Sequence, residues 1–123
     1  MAGCDQGYLC DVCGEEVESI RDSNLYLRFV TGQIEARELL ATQERHLRCD
    51  PVVAQFIDAP DFGDIVVDRP FSRQDLDPAF ASERTTLMTR GWQRLQELAE
   101  IAQTLPIAEY PLPEFQSRSS ADP

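Results

Sequence analysis

Apolar positions along the chain change their spacing several times, and each change marks a different kind of element. Over residues Asn24–Val30, Leu25, Leu27 and Phe29 alternate with Tyr26, Arg28 and Val30. A period of two predicts a strand with one well-buried face. Thr31 and Gly32 can turn the chain after it. Residues 34–41 then combine good helix formers with Ile34, Leu39 and Leu40, which predicts a short helix. Asp50 and Pro51 supply a capping acid and a proline at the first helical position, ahead of Val52, Val53, Phe56 and Ile57. That helix is predicted to end near residues 58–60. Ile65, Val66 and Val67 form an apolar run long enough for one more strand.

The longest periodic stretch comes later. Asp77 and Pro78 repeat the helix-start signal, and behind them Met88, Trp92, Leu95, Ala99 and Ala102 recur at steps of four and three, with Leu98 and Leu105 beside them. This predicts an amphipathic helix of about five to seven turns at 3.6 residues per turn. Gly91 lies inside it and should weaken it by about 1 kcal/mol relative to alanine. Pro106, Pro111 and Pro113 are expected to stop the helix and favour an extended, polyproline-like path. Residues 116–123 are polar and are expected to be disordered. The resulting division is a module over 4–58, a linker with a short strand over 59–77, a helix over 78–105 and a tail over 106–123.

Composition narrows the chemistry. The chain has 123 residues, 22 acidic against 11 basic side chains and a net charge of −11. Every basic residue is an arginine, so lysine-dependent chemistry such as Schiff-base formation or a P-loop is excluded. No apolar run reaches the 18 residues that a membrane span requires. The first sixteen residues hold Asp5, Glu15 and Glu16 without a basic cluster ahead of an apolar stretch. A secretory signal is therefore not expected, and a cytoplasmic location is. The charge is uneven: Arg28, Arg37, Arg45 and Arg48 outnumber the acids between them, whereas eight acids follow between Asp50 and Glu83. The overall balance disfavours nucleic acid as a partner, although that arginine-bearing region leaves it as an alternative.

The motif that carries chemistry is Cys10-Asp11-Val12-Cys13-Gly14, followed by His46-Leu47-Arg48-Cys49, a spacing of C-x2-C-x32-H-x2-C. Two residues between cysteines let both sulfurs turn toward one ion, and a glycine after the second lets backbone amides fold over the thiolates. Two close pairs separated by a long loop are what a tetrahedral Cys3His site needs. The expected ligands are Cys10, Cys13, His46 and Cys49, holding one structural Zn2+ with no open coordination position. Cys49 would fall just before the helix at Pro51, where a helix dipole favours a thiolate. Cys4 is expected to be a spare thiol. With His46 taken as a ligand, no base remains for a nucleophilic triad, and Glu15, Glu16 and Glu18 read as a solvated charged run. No enzymatic activity is expected.

These two pairs resemble the halves of a treble-clef or zinc-ribbon-type finger, as in LIM domains and the zinc fingers of poly(ADP-ribose) polymerases. The resemblance covers about residues 8–57 and implies a structural zinc and a binding role. The expected fold class is α+β: a zinc-stabilised knuckle, hairpin and helix, plus one longer amphipathic helix. The expected function is that of a protein-interaction or regulatory adaptor, with the acidic surface suiting a protein partner that carries a basic patch. Two alternatives stand beside it. One is a nucleic-acid-binding finger using the Arg28–Arg48 region. The other counts Cys4, giving C-x5-C-x2-C-x35-C, which resembles the cluster spacing of adrenodoxin-like [2Fe–2S] electron-transfer proteins.

Overall fold

The long helix organises the molecule. In a computed structural model, which describes residues 8–63, 65–101 and 104–120, the elements run as a two-stranded hairpin (β1, Tyr8–Leu9; β2, Glu16–Val17), then α1 (Asn24–Val30), α2 (Pro51–Ala54), α3 (Pro78–Ile101) and α4 (Pro113–Ser120). Single 3-10 turns punctuate the connections. The hairpin is antiparallel, with Tyr8 opposite Val17 and Leu9 opposite Glu16. The chain is α+β with very little sheet. No helix among the described residues is long and apolar enough to cross a membrane.

α3 behaves much as its periodicity predicts. Asp77 accepts a hydrogen bond from the Phe80 amide (3.1 Å), and Pro78 opens the helix where a missing N–H costs nothing. Met88, Gly91, Leu95 and Leu98 form its buried stripe, at steps of three, four and three. Trp92 lies at the edge of that stripe, edge-on to Phe62 with ring centroids 5.8 Å apart. Ala102 lies outside the described residues. The stripe packs on α1 of the same chain, in one continuous core with Leu27, Phe29, Val30, Leu47 and Tyr110.

Residues Asn24–Val30 are a helix, not the predicted strand. Asn24, Leu25, Tyr26, Leu27, Phe29 and Val30 are all buried, so apolar side chains are needed on every side and their spacing carries no period. The signal that decides is local. Ser23 caps the helix, its Oγ accepting from the Tyr26 amide at 3.0 Å. Three further expectations are corrected. Only Ala36–Glu38 of the stretch 34–41 is helical, as one 3-10 turn closed by a capping box between Glu35 and Glu38. Ile65, Val66 and Val67 join no sheet among the described residues. Pro113–Ser120 forms α4 where an extended and then disordered path was expected, because Pro113 stands at a helix start, where proline is tolerated.

The end of the chain is fixed back onto the core. The Leu112 amide donates to the Val30 carbonyl (3.0 Å), and the Arg94 guanidinium donates to the Tyr110 and Glu109 carbonyls at 2.9 and 2.8 Å. Arg90 grips both oxygens of Glu114 at 2.6 and 2.7 Å. Two glycines permit close approach. Gly32 has φ of 80°, and a Cβ there would run into the Phe115 ring. At Gly91 a Cβ would stand 2.5 Å from Thr31 Cγ2 and 2.9 Å from Leu27 Cδ1, which places the crossing of α1 and α3 at this residue.

Candidate metal centre

Two loops meet at the hairpin end of the core. The first is the knuckle between β1 and β2. Gly14, at φ of 78°, reverses the chain so that its amide bonds the Cys10 carbonyl (3.0 Å) and the Cys10 amide bonds the Glu15 carbonyl (2.8 Å). No neighbour lies within 4 Å of a Cβ built on Gly14, so backbone conformation alone selects glycine here. The second loop carries residues 44–50. Ser23 and His46 pair as an isolated antiparallel bridge, and the Asn24 amide donates to the Arg45 carbonyl at 2.9 Å. Cys49 ends the 3-10 turn Leu47–Cys49.

Together these loops bring Cys10, Cys13, His46 and Cys49 into one cluster, with their donor atoms all within 4.8 Å of one another. Cys10 is buried, His46 and Cys49 are half-buried and Cys13 is exposed. Cys4 lies outside the described residues. His46 Nε2 is 3.0 Å from the Glu16 carbonyl, which can only accept. In the neutral ring Nε2 would then carry the proton, which would leave the Nδ1 lone pair to a metal ion. Nδ1 is the atom that faces the sulfurs, 3.3 Å from Cys13 Sγ and 3.8 Å from Cys49 Sγ. A ligating histidine tied through its other nitrogen to a carbonyl is the usual outer-shell arrangement.

The electrostatics of the cluster call for a cation. Burial opposes ionisation of Cys10, but the backbone amides of Cys13, His46 and Val12, with the His46 side chain, outweigh it and hold the thiol down at about 6. Two of those amides, Val12 and His46, each lie 3.4 Å from Cys10 Sγ. Cys49 moves the other way. Burial, then hydrogen bonding to Cys10 and Cys13, pushes its thiol up to about 12. The predicted thiolate-favouring helix end is not realised at Cys49. α2 is a single turn, and Asp50 makes no capping bond, turning its carboxylate instead to Asn24 (3.1 Å) and Arg45 (3.5 Å). Three crowded thiols cannot all ionise without a positive charge among them, and a soft divalent ion would supply it.

The surroundings hold the two ligand pairs in register without using the ligands. Arg45 forks onto Asp11 of the knuckle at 2.8 and 3.0 Å, joining residues 34 positions apart in sequence. This pairing lowers the Asp11 carboxyl, mainly through the Arg45 hydrogen bonds. The Asp11 amide donates to the Glu44 carbonyl at 3.0 Å. Glu44 is itself buried, and burial raises its carboxyl in spite of the bonds it accepts from the Arg45 amide (2.9 Å), Ser23 Oγ (2.7 Å) and the Leu25 amide (3.2 Å). A carboxylate one position from Arg45 thus anchors the first turn of α1, where the helix dipole favours negative charge. Sequence spacing pointed to the four donors but not to Arg45, Asp11 or Glu44, whose partners lie far away along the chain.

Three of the four arginines of the Arg28–Arg48 region meet partners within the chain, while Arg28 Nε is buried with no hydrogen-bond partner among the described residues. Arg37 pairs with Glu35 at 3.1 Å, and Arg48 lies over the Phe62 ring, 4.2 Å from its centroid, while donating to the Phe62 carbonyl. Compared with known proteins, the chain matches no family model, no curated protein and no solved structure, so the reading of the site rests on its own geometry.

Proposed function

We propose that this chain is a small structural-zinc module that acts as a protein-interaction or regulatory adaptor without catalysing a reaction. The observation that carries the reading is the cluster of Cys10, Cys13, His46 and Cys49, with every donor within 4.8 Å of the others. Three sulfurs and one imidazole nitrogen fill a tetrahedral shell, and a filled shell has no position for substrate or a reactive water. Zinc suits this donor set better than hard ions, which prefer oxygen. The arrangement resembles the knuckle and helix halves of a treble-clef finger. Cys10 and Cys13 would hold the ion from the hairpin, His46 through Nδ1 and Cys49 from the turn before α2.

The ion's role in this reading is to close the hairpin onto the loop 44–50, and through Glu44 and Ser23 to fix the start of α1. Removal of metal by a strong chelator should lower the melting temperature and loosen the hairpin amides. Cys13→Ser should reproduce that effect, whereas Cys4→Ser should bind and melt as the parent does. An unchanged melt after complete chelation would contradict the structural role.

A further inference from the structure

Away from the metal centre, residues 65–68 run without turn, bend or helix along one side of a cleft of about 640 Å³. The backbone N–H and C=O groups of Ile65, Val66 and Val67 make no hydrogen bond among the described residues. Such a segment offers a row of unused donors and acceptors to a neighbouring strand. Its residues are β-branched and apolar, and Val66 is 87% exposed. The opposite wall is built beforehand. The buried Gln55 side chain donates to the Val52 and Phe71 carbonyls, both at 2.9 Å, and accepts from the Arg73 amide at 2.7 Å, which ties residues 52–55 to residues 71–73.

The charge lining the cleft selects the occupant. Arg69 is paired with Asp75 at 2.9 Å. That leaves the exposed carboxylates of Asp58 and Asp68 without an ion-pair partner among the described residues, against the guanidinium of Arg73. A second copy of this chain would bring the same acidic rim and another net charge of −11. We propose that the cleft is a docking site for an extended, basic segment of a partner protein. That segment adds a strand to residues 65–67, covers Val66 with its apolar side chains and sets Arg or Lys against Asp58 and Asp68. The proposal rests on the reading of the chain as an interaction module and names the chemistry of its partner.

The test pans a displayed library of random decapeptides against the zinc-loaded full chain and measures the enriched peptides, made synthetically, by fluorescence anisotropy. Peptides alternating apolar with Arg or Lys residues should be enriched. A strand pairs through alternate residues of its neighbour, so Val66→Pro and Val67→Pro should differ, one losing about tenfold in affinity and the other much less. Neither substitution removes an internal hydrogen bond. Asp68→Lys, at an exposed side chain, should weaken binding about fivefold without touching the backbone. A library with no enrichment, an acidic consensus, or unchanged binding to both proline variants would overturn the proposal. Zinc content is read separately on every variant, so loss of the metal reading would not be mistaken for loss of the cleft.

Discussion

Gly91→Ala is the substitution for which a one-dimensional and a three-dimensional reading disagree in sign. In an isolated helix, alanine at this position of α3 is better than glycine by about 1 kcal/mol. In the folded chain the new methyl would stand 2.5 Å from Thr31 Cγ2 and 2.9 Å from Leu27 Cδ1. Leu27 is fully buried, and Thr31 is held by the bond from its Oγ1 to the Leu27 carbonyl at 2.7 Å. Relief therefore needs the two helices to part or Thr31 to rotate. Overpacking of this kind costs about 1–3 kcal/mol, and loss of the threonine bond costs about 1 kcal/mol more. Set against the helical gain, the net expectation is a loss of about 1–3 kcal/mol, or roughly 4–12 °C in Tm. Denaturant unfolding of the metal-loaded protein should show a lower midpoint at an unchanged slope. Ser82→Ala, on an exposed position of the same helix, should instead gain about 0.5 kcal/mol. A Gly91→Ala protein more stable than its parent would refute the α1–α3 crossing.

Two further predictions concern charge pairs. Arg45→Ala should weaken zinc binding about tenfold in a chelator competition, since it removes the fork onto Asp11 that holds the knuckle against the loop carrying His46; unchanged affinity would show that the ligands alone set the site. Glu114, gripped by Arg90, has its carboxyl held down at about 2, with the Arg90 hydrogen bonds the main cause. A carboxyl lowered on folding favours the folded state above the ordinary glutamate range, and that contribution fades as pH falls toward 2. A carbon-detected NMR titration should therefore find the Glu114 midpoint far below that of the other glutamates, returning to the ordinary range in Arg90→Ala; an ordinary midpoint in the parent would contradict the docking of α4 seen here.

What could be read from the sequence follows the range of the interactions involved. The Cys10–Cys13 and His46–Cys49 pairs are legible because a chelating pair needs a fixed local spacing, and α3 because 24 residues with one buried stripe print a clear period. α1 is not legible by the same rule: a seven-residue helix buried on nearly all sides needs apolar residues throughout, and the alternation of Leu25, Leu27 and Phe29 is then incidental. Ser23 was the available signal. Gly91 read as a weak point because helix propensity ignores what lies across the crossing. Arg45 with Asp11, and Glu44 with the start of α1, are long-range pairings, and the chain between them gives no sign of which acid meets which base. Pro113 reads equally as the end of regular structure or the first residue of a helix, and long-range contacts, of Phe115 against Gly32 and of Glu114 with Arg90, distinguish the two.

What the four-donor cluster holds decides how this chain folds and acts. Protein prepared without added metal and without an affinity tag should contain close to one zinc per chain, and its X-ray absorption edge should fit three sulfurs at about 2.3 Å and one imidazole nitrogen at about 2.0 Å. Cys13→Ser should lose that metal. A chain that carries iron and sulfide, or that binds no metal at micromolar zinc with its four cysteines reduced, would contradict the central claim.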